Sequence, residues 1–147
     1  MPPTPPDDSV PQGRLDTTTL RTLGRRAATH PLVEAWSFEP DSASPRYLDL
    51  RLDANAYPVD VNAVRLEIHW FDTDDYYLHY LETRDTEYYQ CRWDRHPNPH
   101  DSRLHFHEPP SATEIVDFEP ASVHPLEVCS TVLTAIEQRL EKLWSSR

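Results

Sequence analysis

Hydrophobic and polar positions alternate along much of the middle of the chain. In residues 63–73, four apolar side chains alternate with three polar ones: Val64, Leu66, Ile68 and Trp70 against Arg65, Glu67 and His69. Successive side chains of a strand point to opposite faces, so a period of two is typical of a half-buried strand. We therefore predict a strand here, with one apolar face and one open polar face.

Four other segments have the same alternation or a β-rich composition: residues 32–38, 47–53, 76–82 and 88–94. The connections that follow 63–73 and 76–82 are of hairpin length, which favours antiparallel pairing of neighbours. A further short strand at 104–107 is the one regular element that the prolines of this region allow, and it is not part of the predicted count. The pattern predicts an antiparallel meander of four to five strands.

Two helices are expected outside the strands. A short one runs from Asp16 or Thr17 to about Ala28. A long one runs from about Val123 to Trp144, capped by Ser122 or His124 with Pro125 in its first turn. Its apolar residues recur every three or four positions: Leu126, Cys129, Leu133, Ile136, Leu140 and Leu143. This stripe predicts packing on the apolar face of the sheet, and hence an α+β fold.

Composition bounds the domain organisation and the compartment. Residues 1–13 are rich in proline and should form a disordered tail, whereas residues 14–147 have the length of a single α+β domain. No apolar run reaches the length of a membrane span, and the start of the chain lacks the pattern of a signal peptide. We expect a cytoplasmic protein without a membrane partner.

Acidic residues outnumber basic ones and give a formal charge of −11. The basic residues are 13 arginines and a single lysine, Lys142. An acid-rich surface almost without lysine resembles that of halophilic proteins, so we expect the fold to need concentrated salt. If the acid excess is a salt adaptation, it no longer argues against RNA as a partner.

Candidate chemistry is concentrated in residues 91–107. This segment holds four of the eight histidines, namely His96, His100, His105 and His107. Histidine titrates near neutral pH, and the arginines beside it can hold a phosphate. Three interpretations compete: a metal site, a metal-free acid–base site for a phosphodiester, and a polar loop rich in histidine by chance.

The metal and thiol alternatives have weaker patterns. Cys91, His96, His105 and His107 are candidate zinc ligands, yet they match neither the paired cysteines of structural zinc sites nor the His-x-x-x-His of catalytic ones. Cys91 could also be a nucleophile. Strand parity places Cys91 with Tyr89 and Trp93, however, which predicts a buried small hydrophobe.

Metal-free RNA cleavage needs a base for the 2′-hydroxyl, an acid for the leaving oxygen and a cation for the phosphorane. We predict that six residues converge for this purpose on the open face, with no cofactor: His69, Arg92, Asp94, His96, His105 and His107. Arg95 is either a contact to the RNA backbone or a solvated charge. Bases could stack on the tryptophans and on several tyrosines: Tyr76, Tyr77, Tyr80, Tyr88 and Tyr89.

The order of these motifs resembles that of the TumE-type toxins, small proteins encoded beside a helix-turn-helix antitoxin. The motifs are His69-Trp70 on a strand, Arg92-Trp93-Asp94 with His96, and His105-Phe106-His107. The resemblance covers roughly residues 45–144 and leaves the first helix as an addition. It implies growth inhibition through RNA, with an antitoxin of the helix-turn-helix type as partner.

We therefore predict the toxin component of a toxin–antitoxin module, with RNA as target and a metal-independent histidine–arginine site. A homodimer is also compatible with the sequence. The alternative is a halophilic interaction protein without enzymatic activity, which binds a partner protein or a metal through its histidine-rich loop.

Overall fold

The computed structural model describes residues 11–96, 104–112, 114–117 and 124–147. Three predicted features lie wholly or partly outside these residues: the amino-terminal tail, most of the histidine-rich loop with His100, and the alternative helix cap Ser122.

The described residues contain two α-helices, one short 3-10 helix (Ala54–Ala56) and seven strands. The α-helices are α1 (Thr17–Ala27) and α2 (Pro125–Ser145). The strands are β1 (Val33–Glu39), β2 (Tyr47–Leu52), β3 (Ala63–Trp70), β4 (Tyr76–Thr83), β5 (Tyr88–Arg95), β6 (Leu104–Glu108) and β7 (Glu114–Asp117).

All the strands join one antiparallel sheet in chain order, from β1 to β7. The α+β class is confirmed, but the predicted count of four to five strands is wrong, since the described residues alone form seven. β6 lies where the sequence allows a further short strand, at 104–107. β7 was missed because its four residues are too few to show an alternation.

Both helices begin at caps that the sequence predicts. Asp16 accepts a hydrogen bond from the backbone N–H of Thr19 at 3.0 Å at the start of α1. At the start of α2, the His124 ring accepts one from the backbone N–H of Leu126, and Pro125 occupies the first turn. The caps fix where each helix starts and hence which residues it presents to the sheet.

One face of the sheet carries the core. The β3 residues Val64, Leu66, Ile68 and Trp70 are buried there together with residues of both helices. In α2, Val128, Cys129, Val132, Leu133, Ile136 and Leu143 are buried. The predicted burial of the long helix is therefore confirmed, although Leu126 and Leu140 lie only at the edge of the core. The opposite face, which we call the open face, is left to the polar positions of the strands.

A buried ion pair joins the sheet to α2. Glu82 of β4 is fully buried, and its two carboxylate oxygens accept hydrogen bonds from the Arg139 guanidinium, each at 3.0 Å. Tyr80 also donates to Glu82 at 2.7 Å, and the Arg139 guanidinium lies 3.5 Å from the ring centroid of Tyr89. This pair is the centre of a polar network between the sheet and α2, which also includes the hydrogen bond between the hydroxyls of Tyr57 and Tyr80 at 2.7 Å.

Candidate active site on the open face of the sheet

Strand register arranges the polar side chains of the open face in rows across the sheet. One row is His69, Tyr77, Asp94 and His105, and the next is Glu67, His79, Arg92 and His107. Directly paired residues of antiparallel strands project to the same face. The hairpins thus gather side chains that are far apart in sequence, and the predicted placement of Arg65, Glu67 and His69 away from the core is confirmed.

Asp94 is the centre of a cluster formed by Arg92, Asp94, His96, His105 and His107, which we call the Asp94 cluster. Its carboxylate Oδ2 accepts hydrogen bonds from His107 Nε2 at 2.6 Å and from Arg92 Nε at 3.2 Å. The other oxygen, Oδ1, lies 3.3 Å from His105 Nδ1 and 3.5 Å from His96 Nε2. The structure therefore brings together every predicted site residue except His69.

The Asp94 carboxylate is only 2 % exposed, so its charge state depends on its neighbours. Burial acts to raise the pKa of Asp94. The hydrogen bond and charge of His107, with the charges of His96 and Arg92, outweigh burial and leave the pKa below its usual value. Asp94 is thus a fixed negative charge, which orients the imidazoles around it.

His69 lies apart from the Asp94 cluster. It is on β3, whereas Asp94 is on β5, two strand spacings or roughly 10 Å away. Its ring is stacked between Tyr47 and Tyr77, with ring centroids 5.2 and 3.9 Å away, and its Nε2 bonds to Glu67 at 3.0 Å. These contacts hold His69 in place by packing, and Tyr77 separates it from Asp94.

Three further residues of the open face are not among the six predicted site residues and lie outside the Asp94 cluster: Glu67, Tyr77 and His79. Tyr77 lies between the ring of His69 and the guanidinium of Arg92, whose Cζ is 5.6 Å from the Tyr77 centroid. His79 bonds to Gln90 at 2.8 Å, beside Arg92 in the same row. Alternation along β4, where Tyr76, Leu78 and Tyr80 are buried, was the signal that could have placed Tyr77 and His79 on the open face.

Four of the nine aromatic residues predicted to stack on RNA bases cannot do so, because they are buried. Tyr76, Tyr80, Trp70 and Trp93 lie in the core. Their alternation with open-face residues directs them inward, where a base cannot reach them. Among the predicted tyrosines, Tyr77 lies on the open face, next to the Asp94 cluster.

Two further predicted roles are decided by local contacts. Cys91 is buried in the core, as predicted, and burial raises the pKa of its thiol to about 12, so it stays protonated at neutral pH. Arg95 is not a freely solvated charge, because its guanidinium donates to buried Asp75 at 3.1 Å and to the carbonyl of Asp74 at 3.0 Å.

A family model described as Toxin TumE matches residues 21–140, which is more than half of the chain. The chain belongs to the TumE toxin family. No curated protein and no solved structure matches it. The family match begins inside α1 and includes β1, so the first helix is not simply an addition to the TumE region, as the resemblance had suggested.

Membership of the TumE family makes this chain a toxin component, and an antitoxin is its general partner. The whole Asp94 cluster lies inside the matched region. Neither of the two described α-helices combines the length and apolarity needed to cross a bilayer.

The pH dependence of stability tests whether the Glu67 carboxylate forms the contacts with His69 and Arg65 on the open face. The hydrogen bond from His69 and the charge of Arg65 keep the pKa of Glu67 below its usual value, despite partial burial. A carboxyl group whose pKa is lower in the folded state stabilises the fold at pH values above its unfolded-state pKa, which is about 4.3 for glutamate. This contribution is lost as the pH falls through the folded-state pKa. The difference in unfolding free energy between wild type and Glu67→Gln should therefore narrow as pH is lowered from 7 to 3. Urea unfolding at each pH measures this difference. A difference that is the same at pH 7 and pH 3 would contradict a lowered pKa of Glu67 in the folded protein.

Proposed function

We propose that this TumE-family toxin inhibits growth by cleaving RNA at the Asp94 cluster, through acid–base catalysis that requires no metal ion. The observation that carries the proposal is the 2.6 Å contact between His107 and the buried, ionised Asp94, beside the guanidinium of Arg92. A carboxylate, an imidazole and a guanidinium in contact supply the groups that phosphodiester cleavage needs near neutral pH.

The two ring nitrogens of His107 have different partners, and this difference assigns its role in the reaction. Because an ionised carboxylate can only accept, His107 Nε2 donates to Asp94 Oδ2 at 2.6 Å, and Arg92 Nη2 lies 3.2 Å from the same nitrogen. The other ring nitrogen, Nδ1, makes no hydrogen bond within the described residues and is the atom that exchanges a proton with substrate. A base removes the 2′-hydroxyl proton, the 2′-oxygen bonds to phosphorus, and the bond from phosphorus to the 5′-oxygen breaks. An acid then gives its proton to that oxygen. His107 fills one of these roles, and His96 or His105 fills the other.

Arg92 is the group best placed to bind the phosphate. Its side chain is 40 % exposed, whereas each histidine of the cluster is less than a tenth exposed. A guanidinium already oriented by a carboxylate can present its remaining N–H groups to the extra negative charge of the phosphorane. Tyr88, which is 65 % exposed and has the same strand parity in β5 as Arg92, offers a ring against which a neighbouring base can pack.

The test combines growth and chemistry. Expression in the native host should stop growth unless the antitoxin is also expressed. The purified protein should cut RNA to products that end in 2′,3′-cyclic phosphate, and chelators should not lower the rate. His30→Gln is a matched control, because His30 bonds to Glu137 of α2, on the helical side of the sheet. Intact RNA under conditions in which the toxin blocks growth would sink the proposal.

The second candidate is an interaction protein without enzymatic activity, halophilic in character. The burial of His96, His105 and His107 favours it, because a catalytic imidazole must reach its substrate. In that case, antitoxin-free protein should capture a partner, leave RNA intact, and lose the partner on replacement of Arg92. The helix-turn-helix type of the antitoxin, a homodimeric state, the cytoplasmic location and the need for concentrated salt all remain predictions.

A further inference from the structure

The two oxygens of Asp94 have different surroundings. Oδ2 is held by His107 and Arg92. Oδ1 is buried and makes no hydrogen bond within the described part of the chain, although two imidazole nitrogens lie at 3.3 and 3.5 Å. A buried oxygen without a hydrogen bond is costly, on the order of 1–3 kcal/mol, and such atoms in native proteins usually have a ligand, an ion or a water as partner.

We infer that Asp94 Oδ1, His96 and His105 form a binding site for one divalent transition-metal ion of the zinc class. The ligand atoms all lie within 4.8 Å of one another. Around tetrahedral zinc, with bonds of about 2.0–2.1 Å, ligand atoms lie roughly 3.3 Å apart. The two distances from Oδ1 to the imidazole nitrogens, 3.3 and 3.5 Å, are close to this spacing between ligand atoms.

The three proposed ligands come from the end of β5 and from the neighbouring strand β6. Asp94 lies in β5 and His96 directly follows the last residue of that strand, and His96 Nε2 comes within 3.5 Å of Asp94 Oδ1. His105 on β6 is paired directly with Asp94 on β5. His107 and Arg92 hold Oδ2 and so fix the orientation of the carboxylate, as outer partners commonly do for metal ligands.

The ligand types decide the class of ion. Two imidazoles and one carboxylate suit zinc, or another first-row metal such as iron(II), and leave a coordination position open. Magnesium and calcium prefer a full set of oxygen ligands. Cys91, an earlier candidate ligand, belongs to the core face, and His107 is engaged by the other oxygen of Asp94.

The metal site does not depend on RNA cleavage, but one consequence rests on the proposed function. A bound ion uses the imidazole lone pairs of His96 and His105, which then cannot exchange protons. Metal-free cleavage and an occupied site therefore exclude each other. Zinc should inhibit the toxin, and a chelator should restore its activity.

The test is calorimetric titration of the full-length, chelator-treated protein with zinc chloride, and in parallel with magnesium chloride. We expect one zinc per chain and no binding of magnesium. His105→Gln and His96→Gln should each weaken zinc binding at least tenfold. His79→Gln should not, because His79 lies on the same face but is not one of the three proposed ligands. X-ray absorption of the zinc-loaded protein should show nitrogen and oxygen neighbours at about 2.0–2.1 Å. Thermal unfolding of each variant without metal checks that the protein is folded.

Failure to bind zinc would overturn the site, and so would binding that neither His96→Gln nor His105→Gln weakens. The outcome for RNA is separate. Stoichiometric zinc binding by a protein that never cuts RNA would remove the proposed function and leave the metal site. RNA cleavage that saturating zinc does not slow would overturn the inhibitory consequence.

Discussion

Replacing His107 by glutamine is expected to lower RNA cleavage by about 10²–10⁴-fold, the usual contribution of a positioned acid or base. Glutamine can still donate a hydrogen bond to Asp94 Oδ2, which His107 reaches at 2.6 Å, but it cannot exchange a proton with substrate. The loss should therefore fall on the rate of cleavage and on toxicity. Initial rates on a labelled RNA and growth curves measure the two effects.

The control for this experiment is His79→Gln. His79 lies on the same face, in the same row as His107, and bonds to Gln90, outside the Asp94 cluster. That variant should retain both cleavage and toxicity. Both variants should also bind the antitoxin and unfold at the wild-type temperature. Undiminished cleavage by folded His107→Gln would show that His107 is neither acid nor base.

Replacing Arg139 by methionine should have the largest effect on stability, a loss of about 3–5 kcal/mol in the free energy of unfolding. Without Arg139, the fully buried Glu82 carboxylate keeps the hydrogen bond from Tyr80, and its nearest remaining cation is Arg84 at 3.6 Å. A buried carboxylate that loses its two shortest charge-assisted hydrogen bonds is strongly destabilised, because the remaining partners only partly replace them. The contact of the guanidinium with the ring of Tyr89 is lost as well.

The matched variant is the double replacement of Glu82 and Arg139 by methionine, which removes both charges and fills a similar volume. Apolar replacement of a buried ion pair is often close to neutral, so the double variant should recover most of the loss. Urea unfolding of the two single variants and the double variant gives the coupling free energy. A loss below about 1 kcal/mol for Arg139→Met would mean that water reaches Glu82 readily.

For function, the important feature is that one buried carboxylate serves two groups of residues. Oδ2 orients His107 and Arg92, while Oδ1 lies between His96 and His105. The first arrangement supports acid–base cleavage, and the second supports an ion. Asp94 is therefore the residue whose replacement should affect both proposals, whereas His107→Gln and His105→Gln separate them.

The sequence by itself determined the local elements. A period of two in 63–73 put four apolar residues in the core and left His69 on the open face, because side chains of a strand must alternate. The four are Val64, Leu66, Ile68 and Trp70. The helical stripe of α2 and its capping residues likewise fixed a helix that packs on the sheet. Both results depend on neighbours close in sequence, for which side-chain direction follows from backbone geometry alone.

Only the tertiary structure decided which polar residues meet. The register between β5 and β6 pairs Asp94 with His105 and Arg92 with His107, and a shift by one residue would have sent these side chains to the other face. The same register explains why His69 does not reach the cluster, since β4 places Tyr77 between them. The register between β5 and β6 depends on which backbone groups of the two strands form hydrogen bonds, and the alternation within each strand does not encode that choice.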